Sequence, residues 1–409
     1  MRIAAIVCTL AWRNLWRNHR RTLIMLAAIA VGVWAMLFMT ALMRGMVNEM
    51  VRDGIRALPG HVQIHHPGFR DDPSVDKLMP PPAADLLVVL GGEDVVAWAS
   101  RVKVPAVITS ERDSRGVTLI GIAPDEERGL SFLADAIAEG RFLDSVDDTG
   151  IIVGRKMVDN LETRLGKRIV VMSQDPDNEI VDRGFRIVGI FEASIASYEE
   201  QMIFSGRGTV QRMLRIDDQV SEIAILGEDY RAVDSLRDAI AAIAGEGRAV
   251  QPWYTLNKYL STMLGVMDGF VLIWMIVVFL ALSFGLVNTL VMAVFERIRE
   301  IGLMLALGMK PVMILGQFVV ESLCLLVMGL VSGNLLAIAT IATLSSGIDV
   351  SVVAEGMEMF GAGSVLHPEL TLTDVIRANV IVIGLGFLAS LAPAWRASRY
   401  QPIEAITRV

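Results

Sequence analysis

Residues 269–295 read GFVLIWMIVVFLALSFGLVNTLVMAVF, twenty-seven consecutive positions without a charged side chain. A helix needs about 20 apolar residues to cross the hydrocarbon core of a bilayer. A stretch this long belongs in a membrane, and it governs how the rest of the chain is read. Directly after it come residues 296–310, ERIREIGLMLALGMK, and then residues 311–348, apolar except for Glu321. Residues 378–395 carry no charge over eighteen positions, and Val375 and Ile376 extend them. Upstream, residues 22–43 make a further charge-free run of twenty-two. The pattern predicts four transmembrane helices, one and then three. The first run exceeds the apolar core of a cleaved signal peptide, about 7–15 residues, and no small-residue cleavage site closes it. It is expected to remain as an anchor.

Composition agrees with a chain of two kinds of segment. The 409 residues are 53% hydrophobic and 20% charged, with net charge -8. Soluble domains average about 45–50% apolar, so the excess belongs to the spans and the charge to a water-exposed part. The chain is too apolar for disorder, and its acidic balance argues against nucleic acid as a partner. The two cysteines, Cys8 and Cys324, both lie outside residues 44–268, which therefore hold no disulfide.

Lys and Arg gather in short cytoplasmic flanks. Residues 1–21 carry five arginines and no acid. Residues 296–310 carry Arg297, Arg299 and Lys310, and residues 396–409 carry Arg396, Arg399 and Arg408. Residues 349–377 instead carry five acids and one arginine. The expected topology has both termini in the cytoplasm. In chain order it reads: an amphipathic N-terminal helix over 1–21, a first span over 22–43, an exterior domain over 44–268, a second span over 269–295, a cytoplasmic loop over 296–310, a third span over 311–345, an exterior loop over 346–374, a fourth span over 375–395 and a tail over 396–409. In residues 11–21, AWRNLWRNHRR, Trp12, Leu15 and Trp16 share one helical face and arginines cover the other. That suits a helix lying in the membrane interface, and equally an ordinary basic flank that sets topology.

The exterior domain mixes patterns. Residues 61–65, 117–122, 169–172 and 185–191 read as strands; residues 155–165, closed by Gly166, and residues 207–214 and 230–244 read as helices. Interleaved strands and helices predict an α+β domain. Six of the fourteen prolines fall between Pro59 and Pro82, so residues 67–84 read as a loop, blandly a mobile surface insertion. His61, His65 and His66 invite a metal, but positions 61 and 65 of a strand lie about 13 Å apart, and 65 and 66 point to opposite faces. No metal site is expected.

Catalytic signatures are missing. There is no G-x-x-x-x-G-K-[ST] phosphate loop, no H-E-x-x-H helix and no G-x-S-x-G elbow, devices that nucleotide, metal and acyl chemistry use. Glu321 is the lone ionisable residue inside the spans, and such residues invite a functional reading. One carboxylate makes a poor proton relay, so Glu321 reads as a structural group hydrogen-bonded to a neighbouring helix.

The most specific stretch is residues 296–310. The second span continues as an amphipathic segment in which Glu296, Arg297, Arg299 and Glu300 are polar and Ile298, Ile301, Leu303, Met304 and Leu305 apolar. Gly308 allows a turn, and Pro311 opens the next helix where proline costs little. A short helix under the bilayer could lodge in a groove of a cytoplasmic partner. The segment resembles the coupling-helix region of the MacB/FtsX/LolC-type ABC transporter permeases, through Arg299-Glu300-Ile301-Gly302 and Ala306-Leu307-Gly308. The opening Trp12-Arg-Asn-Leu-Trp-Arg17 and the closing Pro393-Ala-Trp-Arg-Ala-Ser-Arg399 with Pro402 and Glu404-Ala405 are similar to the family's ends. Gly140-Arg-Phe-Leu143, Ile151-Ile-Val-Gly154 and Leu165-Gly166 resemble its periplasmic core. Pro59-Gly-His-Val-Gln-Ile64 and Gly121-Ile-Ala-Pro124 with Glu126 resemble the lipoprotein-releasing branch.

The resemblance implies a permease subunit in a bacterial inner membrane, not itself an enzyme. It implies a cytoplasmic ABC ATPase dimer that binds ATP and Mg, a second permease, identical or paralogous, and no cofactor on this chain. The ATPase would move a coupling helix, with Glu296, Arg297, Arg299, Glu300, Ile301, Gly302, Leu305, Ala306, Leu307 and Gly308 as coupling residues, and the exterior domain would do mechanical work. Cargo would be a lipoprotein, lipid or other hydrophobic molecule, entering between the first two spans; Met36, Met39, Met43, Met46, Val266, Met267 and Phe270 are the candidate contacts, ordinary helix packing being the bland reading. A periplasmic chaperone is a further implied partner, with residues 67–84 as the candidate counterpart of a docking loop. The alternative implied use is FtsX-like regulation of a periplasmic enzyme.

Overall fold

The computed structural model describes residues 2–193, 195–349 and 365–398. The chain opens with α1 (Arg2–Arg17) and α2 (His19–Ala57), separated at Asn18. There follow β1 (Val62–His65), α3 (Ala84–Leu90), β2 (Val95–Thr109), β3 (Ser114–Ile122), α4 (Pro124–Glu127), β4 (Ile137–Gly140), β5 (Gly150–Gly154) and α5 (Arg155–Asn160). Next come β6 (Arg168–Gln174), β7 (Ile180–Phe191), α6 (Ala196–Gln201), β8 (Met202–Gly206), α7 (Arg207–Leu214), β9 (Glu222–Gly227), α8 (Val233–Ala241), β10 (Ala249–Pro252) and α9 (Trp253–Leu256). The chain returns to long helices with α10 (Lys258–Glu296), α11 (Ile298–Ala306) and α12 (Pro311–Thr343). A short pair, β11 (Ile348–Asp349) and β12 (Val365–Leu366), precedes α13 (Leu372–Ser398). Among the described residues four helices are long and apolar enough to cross a membrane: His19–Ala57, Lys258–Glu296, Pro311–Thr343 and Leu372–Trp395.

The chain divides into two compact units. Asn48–Met263 make a sheet unit; the described residues up to Val47, from Leu264 to Asp349 and from Val365 on make a helical unit. The helices outrun the charge-free runs from which they were read. α2 continues past Met43 to Ala57, and α10 starts at Lys258 rather than Gly269, because water-exposed turns keep their backbone hydrogen bonds as well as apolar ones do.

Within the helical unit, small residues set the spacing. Gly329 and Gly333 stand four apart on α12, one face of a helix. A Cβ on Gly329 would run into Ile29 Cγ2, and one on Gly333 would lie 2.8 Å from the Ala30 carbonyl oxygen. Close backbone approach of this kind replaces the hydrophobic effect as the driving force between helices in lipid. The facing stripe of α2 is buried along Ile29, Ala30, Val33, Met36 and Leu37. Side-chain hydrogen bonds add to it: Trp34 Nε1 donates to Thr340 Oγ1 at 3.1 Å, and Asn334 Nδ2 to Asn379 Oδ1 at 2.9 Å.

The sheet unit is a mixed ten-stranded sheet in the order β10-β1-β9-β2-β3-β8-β5-β7-β4, with β6 bridging β2 and β7. β3 pairs parallel with β8 and β5 parallel with β7; the other pairs are antiparallel. β3 and β5 are covered on both faces. Leu119, Ile151 and Val153 enter one core with Val104, Ile108, Phe185 and Ile187, while Ile120, Ile122 and Ile152 enter a second with Phe191 and Phe204. Each fully buried side chain of this size contributes about 1.5–3 kcal/mol.

The α+β reading of this segment agrees with the observed elements, with corrections in detail. The helix expected over 155–165 ends at Asn160, and the chain turns through Glu162 at φ 46°. The helix expected over 230–244 covers only Val233–Ala241. β2 was not foreseen; it carries Arg101, Lys103 and Pro105, which spoil an apolar alternation. Residues 67–84 hold a single helical turn at Val75–Lys77, yet they are no loose insertion. Phe69, Val75 and Met79 are buried, and Met79 bridges Val220. Residues 350–364 of the expected exterior loop and residues 399–409 of the tail, with Pro402, Glu404 and Ala405, lie outside the described residues.

Candidate functional site

The segment between the second and third spans folds as its sequence requires. α10 ends at Glu296, Arg297 leaves helical geometry, and α11 restarts at Ile298. Gly308 turns the chain at φ +90°, a conformation that favours glycine. Lys310 is extended, and Pro311 takes the first turn of α12, where its missing N–H is not needed.

α11 has an inner and an outer face at helical spacing. Ile298, Ile301 and Gly302 are buried; Ile301 packs with Val294, Ile314, Phe318 and Ala394, while Met304 and Leu305 are half-buried at the edge. Arg299, Glu300 and Ala306 are exposed, and so are Leu303 (57%) and Leu307 (80%). The apolar face expected to enter a partner is thus divided. Ile298 and Ile301 are both buried within the chain itself, Ile301 by side chains of α12 and α13, and Leu303 and Leu307 stay outside.

Arg297 also turns inward. Its Nη1 donates to Glu321 Oε2 at 3.3 Å and its Nη2 to the Asn14 carbonyl at 3.1 Å. This gives the intramembrane carboxylate its partner, which is a guanidinium from the interspan segment and not a group on a neighbouring span. Of the ten residues expected to couple, Arg297, Ile301 and Gly302 therefore hold the helix in place. Glu296, Arg299, Glu300, Ala306, Leu307 and Gly308 are exposed, and Leu305 lies between the two groups.

The N-terminal helix braces the same place. Ala11 and Leu15 of α1 are buried, and α1 packs on α12. Trp12 and Trp16 stand outside this contact, 49% and 44% exposed, with their rings edge to face at 6.1 Å. The stripe that packs is Ala11–Leu15, where the sequence pointed to a face shared by the two tryptophans and Leu15. Arg17 pairs with Glu300 at 2.8 Å and Arg21 with Glu296 at 2.9 Å, and Arg21 also donates to the Thr289 carbonyl. No sequence signal pointed to these long-range pairs.

At the other end of the spans Arg44 joins three helices. It reaches Asp268 of α10 at 3.0 Å and Asp374 of α13 at 2.7 Å, and Asp374 is fully buried. Among the candidate cargo contacts, Met36 and Met267 are buried within the helical unit, so their side chains are consumed by packing. Met39 (41%), Val266 (61%) and Phe270 (57%) are exposed, and Met43 and Met46 are half-buried. Val266 and Phe270 begin an exposed apolar stripe along α10 that continues through Ile273, Val277 and Phe284.

In the sheet unit the histidines serve the fold. His61 Nδ1 accepts from the Gly227 N–H at 3.0 Å, and His65 Nδ1 meets the His66 carbonyl at 2.8 Å. Among the described residues no group of three His, Cys, Asp or Glu side chains is placed to hold a metal ion.

Four apolar helices in a one-plus-three order, a mixed sheet unit between the first two, and a short amphipathic helix before the third make the architecture of a multi-pass membrane permease. The model of the MacB-like periplasmic core domain matches residues 22–243, and that of the FtsX-like permease C-terminal region matches residues 272–402. The chain belongs to this family: it is an ABC transporter permease of the MacB/FtsX/LolC type. Among its relatives, the lipoprotein-releasing system transmembrane protein LolC of Neisseria meningitidis serogroup B is 23% identical over 405 residues, 94% of this chain and 93% of that protein. The macrolide export ATP-binding/permease protein MacB 2 of Aeromonas hydrophila is 23% identical over 95% of this chain, which spans 59% of that longer protein. The crystal structure of the periplasmic region of MacB from Actinobacillus actinomycetemcomitans is 14% identical, with a TM-score of 0.36 over 52% of this chain and 97% of that one.

Proposed function

We propose that this permease converts ATP hydrolysis by a separate cytoplasmic ATPase dimer into movement of its extracytoplasmic domain, and that the movement extracts or exports a lipoprotein, lipid or other hydrophobic cargo. ATP and Mg belong to the ATPase, and a second permease completes the transmembrane part. The observation that carries this reading is the division of α11. One face is packed and ion-paired into the bundle, so a push on the helix must reach α12 and α13. The other offers Leu303 and Leu307 with charged neighbours, the mix of apolar anchor and polar rim that protein interfaces use. The kinship with a lipoprotein-releasing transmembrane protein supports lipoprotein as cargo. The basic flanks support cytoplasmic termini in the inner membrane.

The FtsX-like reading, regulation of a periplasmic enzyme, draws support from the match over residues 272–402. Chaperone docking by residues 67–84 stays a proposal for the anchored segment. The experiment is co-purification from solubilised membranes followed by ATPase assay. An ATPase and a second permease are expected, with hydrolysis stimulated by lipoprotein or lipid. Leu307→Asp is expected to lower ATPase recovery about tenfold, as loss of an interface anchor does, while the permease stays folded. Recovery of no ATPase would overturn coupling. Stimulation that needs a hydrolase partner would favour the regulatory reading.

A further inference from the structure

A cavity of about 240 Å³ opens between the N-terminal arginines and the start of α11; Arg17, Arg21 and Arg297 line it, with Glu296, Glu321 and Asn14. Its depth can be read from the chain. On α2 the charged run stops at Arg21 and the charge-free run begins at Thr22; on α10 the charge-free run stops at Phe295 and Glu296 follows. The cavity therefore lies on the polar–apolar seam of two spans, the level of lipid headgroups. Beside it Leu23, Ile24, Met292 and Phe295 expose half or more of their surface, as side chains that meet acyl chains do.

Three arginines and two carboxylates line the cavity, and a third carboxylate, Glu300, pairs with Arg17 from outside the lining. Residues 1–21 contain no acid, and the carboxylates that face Arg17 and Arg21 come from Glu300 and Glu296, each about half exposed. The Arg17–Glu300 pair is exposed on both sides, and such pairs are weak; Arg21 is more withdrawn, at 21% exposure. A guanidinium offers five N–H donors in a fork that matches phosphate, and Arg17 has half of its side-chain surface open. Basic pockets between transmembrane helices are suited to anionic headgroups.

We propose that this cavity binds the phosphodiester of one anionic glycerophospholipid, held by Arg17 and Arg21, which exchange Glu300 and Glu296 for the phosphate. The site does not depend on the ATPase or on the cargo. It makes the brace between α1 and α11 responsive to lipid.

The test uses the full chain in nonionic detergent, titrated with phosphatidylglycerol, phosphatidylcholine or inorganic phosphate, with bound molecules counted by native mass spectrometry. One phosphatidylglycerol is expected to be retained in preference to phosphatidylcholine. Arg17→Gln and Arg21→Gln should each weaken retention about fivefold, the worth of one arginine near an anionic headgroup. Glu300→Gln should strengthen it by freeing Arg17, a gain that a merely structural pair would not give. If Arg21→Gln does not fold, the exposed Arg17→Gln and Glu300→Gln decide the matter. Equal retention of the two lipids, or indifference to both of those variants, overturns the proposal. Displacement by millimolar inorganic phosphate overturns the lipid assignment in favour of a free anion.

Discussion

The Arg297 guanidinium meets the Glu321 carboxylate at 3.3 Å, with both side chains almost withdrawn from solvent, at 12% and 9% exposure. Arg297 stands between the end of the second-span helix and α11, and Glu321 lies inside the third span, so the pair ties the interspan helix to the bundle across 24 positions of sequence. Glu321→Ala leaves Arg297 buried and unpaired and is expected to cost about 3 kcal/mol. The double variant Arg297→Met with Glu321→Leu should recover most of that loss, since an apolar pair needs no desolvation. Thermal unfolding in detergent reads both, and a single variant as stable as the parent would refute the role.

Close packing of α12 on α2 gives a second test. A Cβ at Gly333 would sit 2.7 Å from Val33 Cβ, so Gly333→Leu is expected to destabilise the helical unit by about 1–3 kcal/mol through overpacking. Gly285→Ala is the control, because a Cβ there meets nothing within 4 Å. The control should unfold at the parental temperature or slightly above it.

In the sheet unit Arg101 is fully buried, bonded to both oxygens of the equally buried Glu127, to Glu222 and to the Leu58 carbonyl. Replacing it with methionine strands two buried carboxylates and should cost about 3–5 kcal/mol. Arg115, paired with Asp113 but 48% exposed, should cost less than about 1 kcal/mol when replaced by alanine. Urea unfolding that ranked the two variants the other way would disprove the account.

His61 makes stability depend on pH. Burial pushes its imidazole down to about 4, and its Nδ1 is already occupied by the Gly227 N–H. In the unfolded chain a histidine titrates near 6.5. Between these values the unfolded state takes up a proton that the folded state refuses. The contribution of His61 is therefore whole above about pH 6.5 and is lost as pH falls toward 4, up to about 3 kcal/mol in total. His61→Gln should remove that slope from unfolding free energies measured from pH 7 to pH 4.

Particular residues mark how far the sequence could be read. The four spans needed only local counting, since a bilayer imposes the same length on any apolar helix. α7 was legible from end to end, because its apolar and polar positions alternate with the helix period. β2 was illegible. Arg101 looks like a surface residue until Glu127 and Glu222, 26 and 121 positions away, are brought to it. The interspan segment was legible as an amphipathic helix ended by Gly308. Its inward face was not, because Ile301 is buried by side chains of α12 and α13 and Arg297 is turned by Glu321.

The sequence by itself determined the number and order of the spans, the acidic domain between the first two, and the position of the helix that follows the second. These are consequences of hydropathy and charge, which each residue carries wherever it lies. Only the tertiary structure decided which side of α11 is free and how Arg17, Arg21 and Arg297 share the carboxylates of Glu300, Glu296 and Glu321. Ion pairs and ridge packing depend on distances of a few ångströms between residues far apart in the chain, and no local pattern encodes them.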